Sequence, residues 1–320
     1  MRISQKWSNA LMSFCLALSL LSCDVKESYY EKQAAIDDEK IQKYLMPISA
    51  HVSKHYSGFY YQTITPNEAG ATLSANDVVD FKYKLSLLDG TVVEDSMNAK
   101  KPARLKLLDY SVVPEGLDLG ISLMKVGSTY RFYIPSNLAY GDYRSSKFPS
   151  QAIMIADIKV TAKHTEDEVE QAQLDSIDTY VKTKYGSNFE KFASGLYMVN
   201  TVTGTGDKPR MGDRVNVNMT RRYLDGTVIK TFTGVNLDLG YKQAVQGLEE
   251  GLLQMHSGGK AFLVMPASIA FKQSLCLLPE KIRSELLEDQ LITSEVLPYS
   301  IVEYEVELKG IYNNFTTWNN

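Results

Sequence analysis

Two short phrases repeat along the chain: residues 133–141 read YIPSNLAYG and residues 264–272 read VMPASIAFK. Each is an apolar strand end, then a proline, a short turn and an aromatic ring. The first carries a hydroxyl at Tyr140; the second puts Phe271 there and exchanges Gly141 for Lys272. A tyrosine set among apolar residues offers one hydrogen-bond donor. Other chemistries find no footing. His51 and His55 lie four residues apart, but HVSKH lacks the glutamate of a zinc-hydrolase helix, and both read as solvated. His164 and His256 are isolated, and no Ser-His-Asp or Cys-His set appears. Gly204-Thr205-Gly206 is too short for a phosphate loop and reads as a hairpin turn. Neither metal nor cofactor is expected.

The elements that must hold these phrases are duplicated as well. Ser57-Gly58-Phe59-Tyr60-Tyr61 is echoed by Ser194-Gly195-Leu196-Tyr197-Met198, and Leu88-Asp89-Gly90-Thr91-Val92 by Leu224-Asp225-Gly226-Thr227-Val228. Gly116-Leu117 pairs with Gly247-Leu248, and Met124 with Met255. The offset drops from 136 at Asp89 to 131 at Gly116, so one loop is five residues shorter in the second copy. A repeat this long with its order kept is a duplicated domain. Residues 33–46 and 167–185 have helical spacing and precede the copies. Alternating stretches, VVDFKYKLSL and RVNVNMTRRYL, each run into Asp-Gly, which accepts the positive φ angles of a hairpin turn. A short helix follows in each, with Leu117, Gly120, Ile121 and Met124 on one face, then Leu248, Gly251, Leu252 and Met255. The pattern implies an α+β fold, an antiparallel sheet curled over one helix, the glycine allowing close approach.

Together the Asp-Gly hairpin, Val-Val before a helix, Met-Lys-Val-Gly, Ile-Pro and Leu-Ala-Tyr-Gly resemble the FKBP family of peptidyl-prolyl isomerases, over about residues 57–162 and again 194–312. The resemblance implies two tandem FKBP-like domains, at 57–163 and 194–312. A linker and helix at 23–56, a linker helix at 164–193, a flap insert at about 272–296 and a tail at 313–320 complete the chain. The insert contains an amphipathic segment with Ile282, Leu286 and Leu287, whose first turn Pro279 would suit. The resemblance also implies a dry aromatic cup for a proline ring. Carried over by motif, its polar members are Tyr83, Glu94 and Tyr140, with Asp95 adjacent. Val93, Val112, Val113, Leu117, Phe148 and Ala156 bind substrate. Leu117 stands where the family has tryptophan, and Val93, Ala103 and Ala156 where phenylalanine is usual, so the cup is shallower. Glu115 is one residue extra in the Val-Val-Pro-Glu-Gly stretch. The second copy has Met219, Lys230, Val245, Leu248, Phe271 and Tyr304, a degenerate pocket.

Such a cup could work without ionisation or covalent bonds. Rotation about X–Pro is slow because amide resonance must be broken, at about 18–20 kcal/mol. A site need only bind the twisted amide better than the planar one, with a dry wall and one aimed hydrogen bond. The first copy reads as a weak isomerase and the second as silent. A non-catalytic chaperone or peptide-binding scaffold is the competing reading, favoured by the missing aromatics.

Bulk properties fit two cores: 320 residues, 44% hydrophobic and 22% charged, with a net charge of −4 that argues against nucleic acid. Arg2, Lys6 and the apolar run Leu11–Leu21 read as a signal peptide over residues 1–22. Leu20-Leu21-Ser22-Cys23 resembles the lipobox of bacterial lipoproteins, which implies lipidation of Cys23 and a membrane anchor. Cys276 would then be the one thiol left, unable to form an internal disulfide. The expected setting is the cell envelope, and the expected partners are proline-containing, unfolded or exported polypeptides.

Overall fold

The computed structural model describes residues 28–312. The expected signal peptide over residues 1–22, Cys23 and the tail 313–320 lie outside the described residues. Helix α1 (Tyr29–Leu45) begins at a capping box, Ser28 accepting from Glu31 N–H and returning its own N–H to Glu31, four residues ahead of the expected start. Its face carrying Ile41 and Leu45 packs on Tyr60, Tyr133 and Ile155. A 3₁₀ turn (Met46–His51) follows. His51 ends that turn, whereas His55 lies beyond β1 (Ser53–Lys54) and stacks on Phe59 at 4.4 Å. The pair therefore shares no helix face, and His55 is half-buried instead of solvated. No group of three or more metal-ligating side chains forms among the described residues.

The first sheet uses β1, β2 (Tyr60–Thr65), β3 (Val78–Leu87), β4 (Val92–Asp95), β5 (Ala103–Lys106), and, past β6 (Val112–Val113) and α2 (Gly116–Ser122), β7 (Thr129–Ile134) and β8 (Met154–His164). Its order is β1-β2-β7-β8-β3-β4, with β5 also on β3, and every pairing is antiparallel. Gly120 meets the sheet so closely that an added Cβ would fall 2.7 Å from the Phe132 ring. Met124 lies just beyond α2 but is buried in the same core.

Helix α3 (Glu166–Tyr185) starts at a second capping box, Thr165 with Glu168, and leads into the second sheet. That sheet uses β9 (Glu190–Lys191), β10 (Tyr197–Val202), β11 (Arg214–Arg222), β12 (Val228–Asp238), and, after α4 (Gln246–Gln254), β13 (Lys260–Met265) and β15 (Val302–Tyr312), in the order β12-β11-β15-β13-β10-β9. The five missing residues have a structural meaning. In the first unit residues 96–102 part β4 from β5; in the second the same span is one continuous strand, β12. Residues 203–213 do not form the expected hairpin turn, because β10 pairs with β9 and β13 and never with β11. Instead Gly204 lies against the turn 256–259, where a Cβ would meet the Ser257 carbonyl at 2.4 Å.

Helix α3 covers the outer face of the second sheet as α1 covers the first, burying Ile177 and Val181 against Tyr197, Val199 and Val264. Beneath it the fully buried Glu303 accepts from Tyr180 and Tyr185 hydroxyls, each at 2.9 Å, and from Lys184 Nζ at 3.0 Å. The flap insert forms β14 (Cys276–Leu277), a 3₁₀ turn (Glu280–Ile282) and α5 (Arg283–Glu288), with Pro279 just before the turn. Strand β14 does not join its own sheet. It pairs in parallel with β6 of the first unit, Cys276 beside Val112 and Leu277 beside Val113. The Val113-Pro114 and Leu278-Pro279 bonds are cis.

Candidate peptide-binding site

Alternation along β3 turns Phe81, Tyr83 and Leu85 to one face, and that face is buried over α2. Phe132 on β7, Ala156 and Ile158 on β8, and Leu117 and Ile121 on α2 close the floor. The flap after β7 contributes Tyr140 and Phe148, with ring centroids 4.6 Å apart. Hydrogen bonds shape this flap: Gly141 and Ala139 both return their N–H to Ser136. Ser136 in turn gives its N–H to the fully buried carboxylate of Asp37 at 2.9 Å, and its hydroxyl at 2.5 Å. Helix α1 thus fixes the loop that bears Tyr140.

Of the sequence-derived residues, Tyr83, Val112, Leu117, Phe148 and Ala156 are buried in one cluster, with Val93, Val113 and Tyr140 packed on it. The Tyr83 hydroxyl donates to Glu94 Oε2 at 2.5 Å. Burial, and next that carboxylate, hold the Tyr83 phenol far above its ordinary range. Burial does the same for Tyr140. Its hydroxyl differs from that of Tyr83 in having no hydrogen-bond partner among the described residues. Asp95 is exposed, accepts the N–H of Met97 at 3.0 Å and lines, with Tyr83, Glu94, Leu277 and Leu278, a cleft of about 1060 Å³ between the units.

The hollow is not open, contrary to the expectation from sequence. The insert of the second unit fills it. Cys276 N–H donates to Ser111 O at 2.7 Å and Leu278 N–H to Val113 O at 2.9 Å, extending the Val112-Val113 backbone by one strand. Beyond the buried Pro279, Glu280 N–H donates to Glu94 Oε2 at 2.8 Å. Leu277, Leu278, Ile282 and Leu286, each at most 5% exposed, belong to the core of the first unit. Leu287, expected on the same apolar face, is half-buried. Full burial of such side chains is worth about 1.5–3 kcal/mol each, so apolar contact is the main force holding the insert. Arg283 braces it from within, donating to Ser294 O at 3.0 Å and to Leu275 O. The flap closes from outside through Ser146 on Glu285 and Tyr143 on Asp289 at 3.1 Å. Burial raises the Cys276 thiol to about 12.

The second unit's counterpart holds a cation instead. Met219, Leu248 and Tyr304 are buried there, with Val245 and Phe271 packed on them. Arg221 lies among them, 7% exposed, its guanidinium carbon 4.7 Å from the Phe271 ring centroid, 5.5 Å from Phe232 and 5.7 Å from Tyr304. Glu295 neutralises it at 3.3 Å and pairs with Lys230 as well. Burial pushes the Tyr304 phenol up to about 12. Arg221 escaped the motif-based reading. The signal was the alternation itself, which carries Val215, Val217 and Met219 inward and then Arg221.

An antiparallel sheet curled over a short helix, with a flap after the strand that packs on it, is the architecture of a prolyl-isomerase domain, and it occurs twice, the flap tyrosine standing in the first unit alone. The FKBP-type peptidyl-prolyl cis-trans isomerase model matches residues 70–161 and 206–309, and the chain belongs to that family. It is 33% identical over 134 residues to the FKBP-type isomerase FkpA of Aeromonas hydrophila, covering 41% of this chain and 48% of that one. It is 23% identical over 216 residues to FKBP9 of Bos taurus, covering 66% and 33%. The chain thus spans half or less of the length of these curated relatives. Among solved structures, FkpA from Escherichia coli matches at 23% identity with a TM-score of 0.36, covering 51% of this chain and 75% of that one. The three FKBP domains of wheat FKBP73 match at 18% identity with a TM-score of 0.32, covering 81% and 97%. No helix among the described residues is long and apolar enough to cross a membrane.

Proposed function

We propose that the first unit is a weak peptidyl-prolyl cis-trans isomerase acting on unfolded, exported polypeptides, and that the second unit is catalytically silent. The observation carrying this reading is the gathering of Tyr83, Glu94, Tyr140 and Phe148 around one hollow, against Met219, Lys230, Phe271 and a buried arginine in the second. Val93, Val112, Val113, Leu117 and Ala156 would form the walls around the prolyl ring. The buried Tyr140 hydroxyl would donate to a substrate carbonyl, an interaction worth about 0.5–1.5 kcal/mol net and so up to about tenfold in rate. Asp95, lining the cleft beside Tyr83 and Glu94, would meet the incoming peptide at the edge of the site.

The setting we propose is the cell envelope, with the chain held to a bacterial membrane through a lipidated Cys23. A protease-coupled assay on a proline tetrapeptide, comparing the native chain with Tyr83→Ala and Tyr140→Phe, tests the isomerase reading. Turnover equal to buffer in every form, including one with the insert displaced, would sink it. The competing reading, a non-catalytic peptide holder, draws support from the extended apolar segment already seated in the hollow. It predicts improved refolding of a proline-free client with no isomerase turnover.

A further inference from the structure

We propose that residues 274–288 of the second unit are the built-in ligand of the first unit's hollow, holding that site closed until an external peptide of the same chemistry, an extended apolar stretch ending in Leu-Pro, takes their place. The inference deepens the isomerase reading and rests on it only for its turnover readout.

Three observations carry it. The first is backbone recognition. Strand β14 adds to β6 in parallel, and the N–H groups of Cys276 and Leu278 reach carbonyls of 111 and 113. Pairing through the main chain ties a peptide without demanding a sequence, while alternate side chains supply the selection. Here the selecting contacts are Leu277 and Leu278, and Pro279 sits buried between the bonds to Val113 and Glu94. The second is volume. The small or non-aromatic residues Val93, Ala103, Leu117 and Ala156 sit in the cluster that Leu278, Ile282 and Leu286 complete. The occupant therefore fits the space that rings would otherwise fill. The third is an incomplete fit. Tyr140 keeps its hydroxyl buried above the occupant with no acceptor among the described residues. A buried donor without a partner is costly, so an incoming peptide that offers a carbonyl there gains an interaction the tethered segment lacks. The fastenings that must open are the flap contacts from Ser146 to Glu285 and from Tyr143 to Asp289, at the exposed rim.

The test compares the full chain with a Leu277→Asp, Ile282→Asp double variant. Iodoacetamide labelling of Cys276, located by mass spectrometry, reports whether the segment has left. Labelling should rise at least tenfold, and turnover of a Leu-Pro tetrapeptide at least fivefold. A synthetic 274–288 peptide should label the released site by binding and suppress its turnover, while leaving the native chain unaffected. Native turnover equal to that of the released variant, or no binding of the peptide to it, overturns the proposal. Peptide binding without turnover in any form keeps the occupancy and removes the isomerase reading instead. Should the double variant fail to fold, Val112→Cys provides the opposite perturbation, a disulfide to the neighbouring Cys276 that locks the segment in place. Locked chain should lose its residual turnover and regain it on reduction; turnover indifferent to the lock overturns the closure.

Discussion

Replacing Tyr140 by phenylalanine should move stability and activity in opposite directions. In the native chain the hydroxyl is buried and has no hydrogen-bond partner among the described residues. An unsatisfied buried hydroxyl costs about 1–3 kcal/mol, and the variant removes one oxygen while leaving the ring against Phe148 and Tyr143. The expected change is a gain of about 1 kcal/mol. With a urea dependence of about 1–3 kcal/mol per molar, that shifts the unfolding midpoint upward by roughly 0.3–1 M, read by circular dichroism. In the chain released by Leu277→Asp and Ile282→Asp, the same change removes the donor meant for the substrate and should lower turnover by up to about tenfold. A midpoint lowered by a comparable amount would falsify the argument, because it would mean the hydroxyl has an acceptor in the closed state.

The remaining expectations concern how the units are held. Glu303→Ala strips a fully buried carboxylate from Lys184, Tyr180 and Tyr185 and should cost about 1.5–3 kcal/mol, since Lys184 keeps solvent, seen as early loss of the second unit in urea. Asp37→Ala leaves the buried Ser136 N–H and hydroxyl unpaired and should cost about 1.5–3 kcal/mol, with faster hydrogen exchange across the flap. Gly120→Ala drives a methyl into the Phe132 ring and should cost about 1–3 kcal/mol by the same urea measurement. Burial first, and then Glu94, raise the Glu280 carboxyl, with Arg283 opposing and Tyr83 close by. A raised carboxyl favours the protonated form in the docked state. The insert should therefore be held most firmly at low pH and loosen as pH rises through the raised value. The effect is modest because the Glu280 side chain reaches solvent. Cys276 labelling followed against pH should rise more steeply in the native chain than in Glu280→Gln, which shares the ionisation of the thiol itself.

The duplication, both hairpins, both glycine-bearing helices and the family were legible in the sequence because each rests on local chemistry. Asp-Gly turns, period-two strands and glycines at a helix–sheet contact announce themselves within a dozen residues. The helices α1 and α3 were legible from their apolar spacing, though not the capping box of Ser28 with Glu31 that starts α1 four residues earlier. The docking of the insert was not. Strand β14 meets β6 through main-chain groups, which leave no trace in residue type, and the partners are far apart in the chain. What trace exists is indirect: the apolar Leu277-Leu278 before Pro279, and a cup whose walls are too small. Arg221 was overlooked because a strand arginine is ordinarily a surface residue; only its aromatic surround and Glu295 make burial tolerable.

The hollow and its occupant are made at different times. Cys276 follows Val113 by 163 residues, which at synthesis rates of about 5–20 residues per second is an interval on the order of ten seconds or more. Through that interval a newly folded first unit would carry a bare groove, free to receive other emerging chains, before its own C-terminal half arrives to shut it.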